Sequence, residues 1–308
     1  MKEEVVQRAS RLADLAPRQL EDEKKAAELI EEEISEYDYS TQAFQILVPD
    51  FRDWGLEADG EEIRCLPSGL ESGKIESKAL VNSILNGQGS MNRPNINFNP
   101  YADGISVPNF YEAPSVAISP EDVEKVLRAD EVEGYLEVEW VSHESRNILV
   151  GNEEDPDRII LTHYDSTWGG FIDNGFTVSL IIELLDELDL EENLVVFAGA
   201  EEISQEKPYH CYGYRRFEDE YIEQIKGAEE IFLADSLGRN SQKVIENPEI
   251  VEKAIVLNTE GYEDKVKFVA SEYHEVLDIY HSPKDTVKAL NSYEEAVELA
   301  REELDLKQ

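Results

Sequence analysis

Basic residues are scarce in this chain. Lysine and arginine number 28 against 69 aspartates and glutamates over 308 residues, a formal net charge of −41 and a pI of about 4.3. A nucleic acid is gripped largely through its phosphates, and a chain with no basic stripe has no means of releasing their counterions, so nucleic-acid binding is excluded as an expectation. Cysteine is nearly absent: Cys65 and Cys211 stand alone, with no CxxC pair, and no disulfide framework is implied. No apolar run approaches the roughly 20 residues a membrane span requires. The opening MKEEVVQRASRLADL has the pattern of an amphipathic helix and not of a signal peptide, which makes the cytoplasm the expected location. The acidic residues are spread along the whole length and do not gather in a tail. That distribution suits a protein working in molar salt, where a dense carboxylate surface keeps the fold hydrated. Nothing in the sequence speaks to oligomeric state.

What is present is a chain with 41% apolar residues, enough for a sizeable core. Apolar residues recur at helical spacing from 2 to 36, with a break at Pro17. Strands and turns are expected over 44–66. Residues 86–114, rich in Asn, Gly and Pro, read as loop. Then follow a strand, a helix N-capped by Ser119 with Pro120 in its first turn, and the alternating strand LEVEWVS. From about 146, core strands alternate with helices: RNILVG, RIILTHYDS, a helix over 175–188, NLVVFAGAEE, a helix over 214–225, and EIFLADSLG. AIVLN, VKFVAS and VLDIYHS are further strand candidates, and a helix closes the chain from Ser292 to about Leu306. This alternation predicts an α/β fold with helices on both faces of a central sheet.

The core strands end in residues that ligate metals. One ends at His163, the next at Glu201-Glu202, the next at Asp235 and the last at Tyr280-His281, while Asp173 stands at a helix start. In open α/β sheets the carboxyl ends of the strands form the ligand crevice, so these residues would converge despite their separation in sequence. A set of histidines and carboxylates without cysteine suits zinc, manganese or cobalt, and allows two ions sharing one carboxylate. A spare carboxylate beside them can act as general base, and Asp165 can orient His163 through its ring N–H. Each residue also has a structural reading. Asp173 can be an N-cap, Glu201 and Glu202 solvated charges, Tyr280 ordinary packing, and Cys211 a small buried residue. His143 is expected at the surface, whereas His210 is near enough to the motifs to reach the site.

The ordered motifs HYD, IDNG, GAEE, LAD and YHSPKDT resemble the M28 family of metallopeptidases, typically zinc-dependent aminopeptidases. The match covers roughly residues 146–306. The resemblance implies a zinc-exopeptidase-like (phosphorylase/hydrolase-like) fold, with a mixed, largely parallel central sheet, helices on both faces and a small inserted lid-like subdomain, and it implies peptide substrates. It further implies two divalent ions held by His163, Asp173, Glu202, Asp235 and His281, with Asp173 bridging, Glu201 as the general base, and Tyr280 as a stabiliser of the tetrahedral oxyanion. The domains expected from it are an N-terminal helical part (1–55) packing on the peptidase domain, a reduced protease-associated-like insertion (56–140) and an M28-like core (141–308). The chain departs from the family in the insert ISQEKPYHC after the glutamates, in Phe176 where a small residue is usual, and in a short stretch between Asp235 and His281. Two alternatives stay open: a single-zinc enzyme of the glutaminyl cyclase type, and a catalytically inactive peptide-binding relative.

Overall fold

A computed structural model describes residues 2–76, 78–85, 92–248, 250–251, 257 and 261–306. The chain divides into two compact units. One comprises Met1–Ile46, Ser142–Val276 and Thr286–Gln308, and the other Leu47–Val141 and Leu277–Asp285.

In chain order the elements begin with helices α1 (Lys2–Ala13) and α2 (Glu21–Glu33) and strands β1 (Tyr39–Ala58), β2 (Glu61–Glu62), β3 (Cys65–Pro67), β4 (Gly73–Ile75), β5 (Leu80–Asn82), β6 (Asn95–Phe98) and β7 (Ser115–Ile118). Then come α3 (Val123–Arg128), β8 (Val132–Gly151), β9 (Arg158–His163), α4 (Thr177–Leu184), β10 (Asn193–Ala198), α5 (Tyr212–Gly227) and β11 (Glu230–Asp235). The last are β12 (Gln242–Ile245), β13 (Val266–Ser271), α6 (Tyr273–Val276) and α7 (Tyr293–Glu303).

The first unit is built on strands in the order β12-β13-β11-β9-β10-β8. β13, β11, β9 and β10 run parallel, and β12 and β8 pair antiparallel at either side. The fold is thus α/β with a mixed, largely parallel central sheet. Ile159 and Leu161 of β9, Leu194 and Val196 of β10, and Leu233 of β11 pack with Tyr214, Phe217 and Ile225 of α5. The alternate residues Ile160, Val195 and Phe232 are equally buried. Successive side chains point to opposite faces, so both faces of the sheet are covered, as parallel sheets require. α1 packs on α4 and on the turn Phe171–Phe176 that leads into it. Phe176 is accommodated by an offset stack on Phe171, centroids 6.4 Å apart, and an edge contact with Tyr293 of α7 at 5.8 Å.

The second unit carries a four-stranded sheet in the order β3-β7-β6-β5. Ile75, Ile96, Val116, Ile118 and Val126 are among the residues of its core. β6 falls inside the stretch expected to be loop; residues 86–91 of that stretch lie outside the described residues. Its asparagines enter the interior because their amides find partners there. Asn95 Nδ2 donates to Ser115 Oγ at 2.9 Å, and Asn97 Nδ2 to Ser68 Oγ at 2.6 Å. A buried amide N–H with partners costs little, although Asn97 Oδ1 is buried without a partner among the described residues.

The strand expected over VLDIYHS is absent, and α6 is followed by turns. The backbone of that segment is held by scattered partners instead of a ladder: Asn99 Nδ2 donates to Leu277 O at 2.7 Å, Ser106 Oγ to Tyr280 O at 2.5 Å, and Val107 N to His281 O at 3.0 Å. LEVEWVS and RNILVG form one strand, β8, and β12 was not foreseen. The AIVLN candidate falls, apart from Leu257, outside the described residues.

The amino end of α5 meets the end of β10 at two glycines. A Cβ on Gly213 would collide with the Gly199 carbonyl and stand 2.9 Å from Asn147 Oδ1. Both obstacles are fixed, since Asn147 Nδ2 donates back to Gly213 O at 2.8 Å. Gly213→Ala is expected to destabilise the protein by on the order of 3 kcal/mol, read as a fall in urea midpoint. A change within 0.5 kcal/mol would show that the helix can retreat.

Candidate metal centre

β9, β10 and β11 are parallel and in register, with His163 opposite Ala198 and Leu161 opposite Leu233, so their carboxyl ends open on one edge of the sheet. Behind each end the chain turns sharply. Ala200 has φ 51° immediately before Glu201, and Ser236 has φ 51° immediately after Asp235. Left-handed backbone at non-glycine residues costs about 1 kcal/mol each and persists where surrounding bonds impose it. Here they do. The backbone N–H groups of Glu201 and Glu202 donate to Asp165 Oδ1 and Oδ2 at 3.0 and 2.9 Å. Ser236 N donates to Asn174 Oδ1 at 3.0 Å, and the same asparagine's Nδ2 donates to Thr162 Oγ1 at 3.0 Å.

Between these turns His163, 2% exposed, presents its two ring nitrogens to different neighbours. Nε2 lies 3.3 Å from Asp173 Oδ1 and 3.4 Å from Asp235 Oδ1, while Nδ1 lies 3.4 Å from Asp165 Oδ1. Ligand-type atoms of His163, Asp173 and Asp235 all fall within 4.8 Å of one another, and Asp173 and Glu202 meet the same limit. Asp173 is therefore common to two neighbouring groups. Tyr280 and His281 belong to the second unit. There the rings of the two residues stack, centroids 3.9 Å apart, and His281 Nδ1 lies 3.0 Å from Val107 O. A carbonyl only accepts, so Nδ1 carries the proton and a neutral ring has its lone pair on Nε2.

The electrostatics of the strand-end cluster are those of a cation site. Burial pulls the His163 imidazolium towards losing its proton, but its hydrogen bonds to the carboxylates of Asp165, Asp173 and Asp235 outweigh it and hold the pKa well above 6.5. For Glu201, burial is the main cause of a pKa raised to about 8; nearby His163 opposes the shift and the Glu202 carboxylate adds to it. The donor set, an imidazole and carboxylates without thiolate, fits zinc, manganese or cobalt.

Several partnerships around the centre carry little or no signal in the sequence. Asn174 ties β9 to β11 from the position after Asp173; its only signal was the Asn of IDNG. Cys211 precedes α5 with φ 58° and donates from Sγ to Glu201 Oε1 at 3.0 Å, while its N–H donates to Glu201 O at 2.5 Å. The insert after the glutamates thus leaves and returns at Glu201, and closes on itself through Ser204 N to Tyr209 O at 2.6 Å. His143 is not at the surface: it is 4% exposed, and its Nε2 lies 2.6 Å from Glu23 Oε2. Glu23, buried on α2, also accepts from Ser145 Oγ; burial raises its pKa and the His143 bond opposes that rise. An isolated strand histidine gives no sign of a glutamate 120 residues earlier.

The sequence matches no family model and no curated protein. Solved structures share the fold. BSAP, a zinc aminopeptidase from Bacillus subtilis, superposes with a TM-score of 0.67 at 19% identity, over 99% of this chain and 92% of that one. A peptidase M28 precursor from Shewanella amazonensis SB2B gives a TM-score of 0.67 at 14% identity, over 98% and 94%. A glutaminyl cyclase from Porphyromonas gingivalis gives 0.53 at 12% identity, over 99% and 98%. The chain has the fold of the zinc exopeptidases. Among the described residues no helix is long and apolar enough to cross a membrane.

The two raised pKa values act in one direction on stability. In metal-free protein the folded state retains protons on Glu201 above pH 4.5 and on His163 above pH 6.5, which the unfolded chain has released. Stability falls with pH wherever the folded state binds more protons. The melting temperature of chelator-stripped protein should therefore fall between pH 6 and pH 8, and added zinc should raise it more at pH 8. A flat or rising apo profile would contradict the protonation states assigned here.

Proposed function

We propose that this protein hydrolyses peptide bonds at a two-metal centre, as an aminopeptidase releasing N-terminal residues from peptides. The observation that carries the reading is the sharing of Asp173 between the His163–Asp235 group and Glu202, with Glu201 adjacent. Two ions bound there would polarise a peptide carbonyl and acidify a water molecule. His163 and Asp235 would hold one ion, Glu202 with His281 the other, and Asp173 both, as the M28 resemblance implies. The His281 ring is already set for ligation, because its bond to Val107 O fixes the tautomer.

Glu201 takes the proton from the attacking water and delivers it to the leaving amine. The pKa of about 8 that burial gives its carboxyl would be drawn down by nearby cations, into the range where a group both accepts and donates near neutrality. The Cys211 thiol holds Oε1, which directs Oε2 to the proton transfer. Asp165 fixes the backbone of both glutamates and faces His163 Nδ1, so base and ligand share one anchor. Tyr280 is assigned to the oxyanion by the resemblance.

Elemental analysis of protein purified in molar KCl tests the centre: about two zinc, manganese or cobalt ions per chain are expected, with fewer in His163→Ala and His281→Ala. A content near one ion, together with cyclisation of N-terminal glutamine, would favour the glutaminyl cyclase chemistry of a neighbour with the same fold. Glu201→Gln should retain metal and lose hydrolysis of aminoacyl p-nitroanilides by about 10²–10⁴-fold; full activity in that variant would remove Glu201 from the mechanism. Cys211→Ala is expected to lower kcat with little change in KM, whereas a change in KM alone would place the thiol in substrate binding.

A further inference from the structure

Arg18 lies in the connection between α1 and α2 and is completely buried. A guanidinium has five N–H donors in a fixed plane, and five main-chain carbonyls stand around this one. Nε donates to Tyr164 O at 2.5 Å. Nη1 donates to Gly170 O at 2.8 Å and Leu12 O at 3.3 Å, and Nη2 to Asp165 O at 3.2 Å and, more distantly, Asp173 O at 3.5 Å. Four of those five carbonyls belong to the 164–173 loop, which joins His163 and Asp165 at the end of β9 to Asp173. Arg18 N donates to Ser166 Oγ at 3.2 Å, and Gln19 Nε2 to Ser166 O at 3.1 Å. The fit leaves no slack, since a Cβ on Gly170, which has φ +116°, would stand 2.6 Å from Arg18 Nη1.

We propose that Arg18 is a positioning residue for the metal centre, setting the separation between His163 and Asp173 by gripping the main chain on both sides of the loop between them. This inference rests on the metal reading above. A buried cation that served only to fill the core would not need acceptors drawn almost entirely from the one loop that joins His163 to Asp173. Lysine cannot replace it, because an ammonium has three donors and no planar fork.

The test compares wild type, Arg18→Lys, Arg18→Met and Leu304→Ala. Leu304 is buried at the opposite edge of the sheet, where its carbonyl accepts from Arg158 at the start of β9. Circular dichroism and melting report folding, chelator competition gives the cobalt(II) dissociation constant, and the visible cobalt spectrum reports ligand geometry. Both Arg18 variants should bind cobalt at least about tenfold more weakly, with an altered visible band, while Leu304→Ala loses stability and keeps its affinity and spectrum. Folded Arg18 variants with wild-type affinity and spectrum would overturn the proposal. So would a loss of affinity in Leu304→Ala equal to theirs, because Arg18 would then act through stability alone. If neither Arg18 variant folds, Gly170→Ala decides the matter, since its Cβ would stand 2.6 Å from Arg18 Nη1 and push the guanidinium off the loop while leaving Arg18 in the chain: weakened cobalt binding supports the clamp, and unchanged binding overturns it. Wild-type protein that binds no cobalt would sink the metal reading itself, whereas wild-type binding with unaffected variants would sink only the role of Arg18.

Discussion

One buried carboxylate organises the centre. Asp165, with no exposed surface, accepts the N–H groups of both Glu201 and Glu202 and faces Nδ1 of His163. Two backbone amides and an imidazole, from two strand ends, are thereby referred to a single point. The left-handed turn at Ala200 persists because those two charge-assisted bonds hold the residues that follow it. Moving Asp165 would displace His163, Glu202 and Glu201 together.

Concentrating acid groups has an electrostatic cost. Two unit charges 4 Å apart interact by roughly 4 kcal/mol at an effective dielectric constant of 20, and Asp165, Asp173, Asp235, Glu201 and Glu202 converge within one crevice. The chain's own compensation includes the raised pKa values of His163 and Glu201, the buried guanidinium of Arg18 and the dipoles of the surrounding N–H groups. A divalent ion is the natural completion of such a set. The same chain spreads 69 acidic residues over its length, but repulsion of this size arises where burial removes the water that would screen it.

Much of this was legible in the sequence because apolar strand patterns ended abruptly in ligand types. RIILTH, NLVVFA and EIFLAD are β9, β10 and β11, and the residues that follow them or close them meet at one sheet edge. Periodicity also placed α1, α2 and α7. What escaped were long-range partnerships and polar groups hidden by mutual satisfaction. Arg18 looks like one more charge after a proline, His143 like an exposed strand residue, and Asn95 and Asn97 like loop. Each is buried because a specific partner lies far away in sequence, and no local pattern encodes that partner. The missing strand at VLDIYHS has a related origin: apolar residues at strand spacing were recruited to pack, while their backbone was captured by Asn99, Ser106 and Val107.

That capture bears on modularity. Residues 277–285 belong to the same compact unit as residues 47–141, and the asparagine-rich stretch forms the rack on which Tyr280 and His281 are mounted. The intervening segment is therefore not an appendage that protein engineering could trim to leave a minimal enzyme. Deleting it would leave the YHSPKDT motif in the gene while removing the scaffold that orients its histidine. A duplication, graft or chimaera made at the apparent domain boundaries would inherit the letters of the motif and none of its geometry.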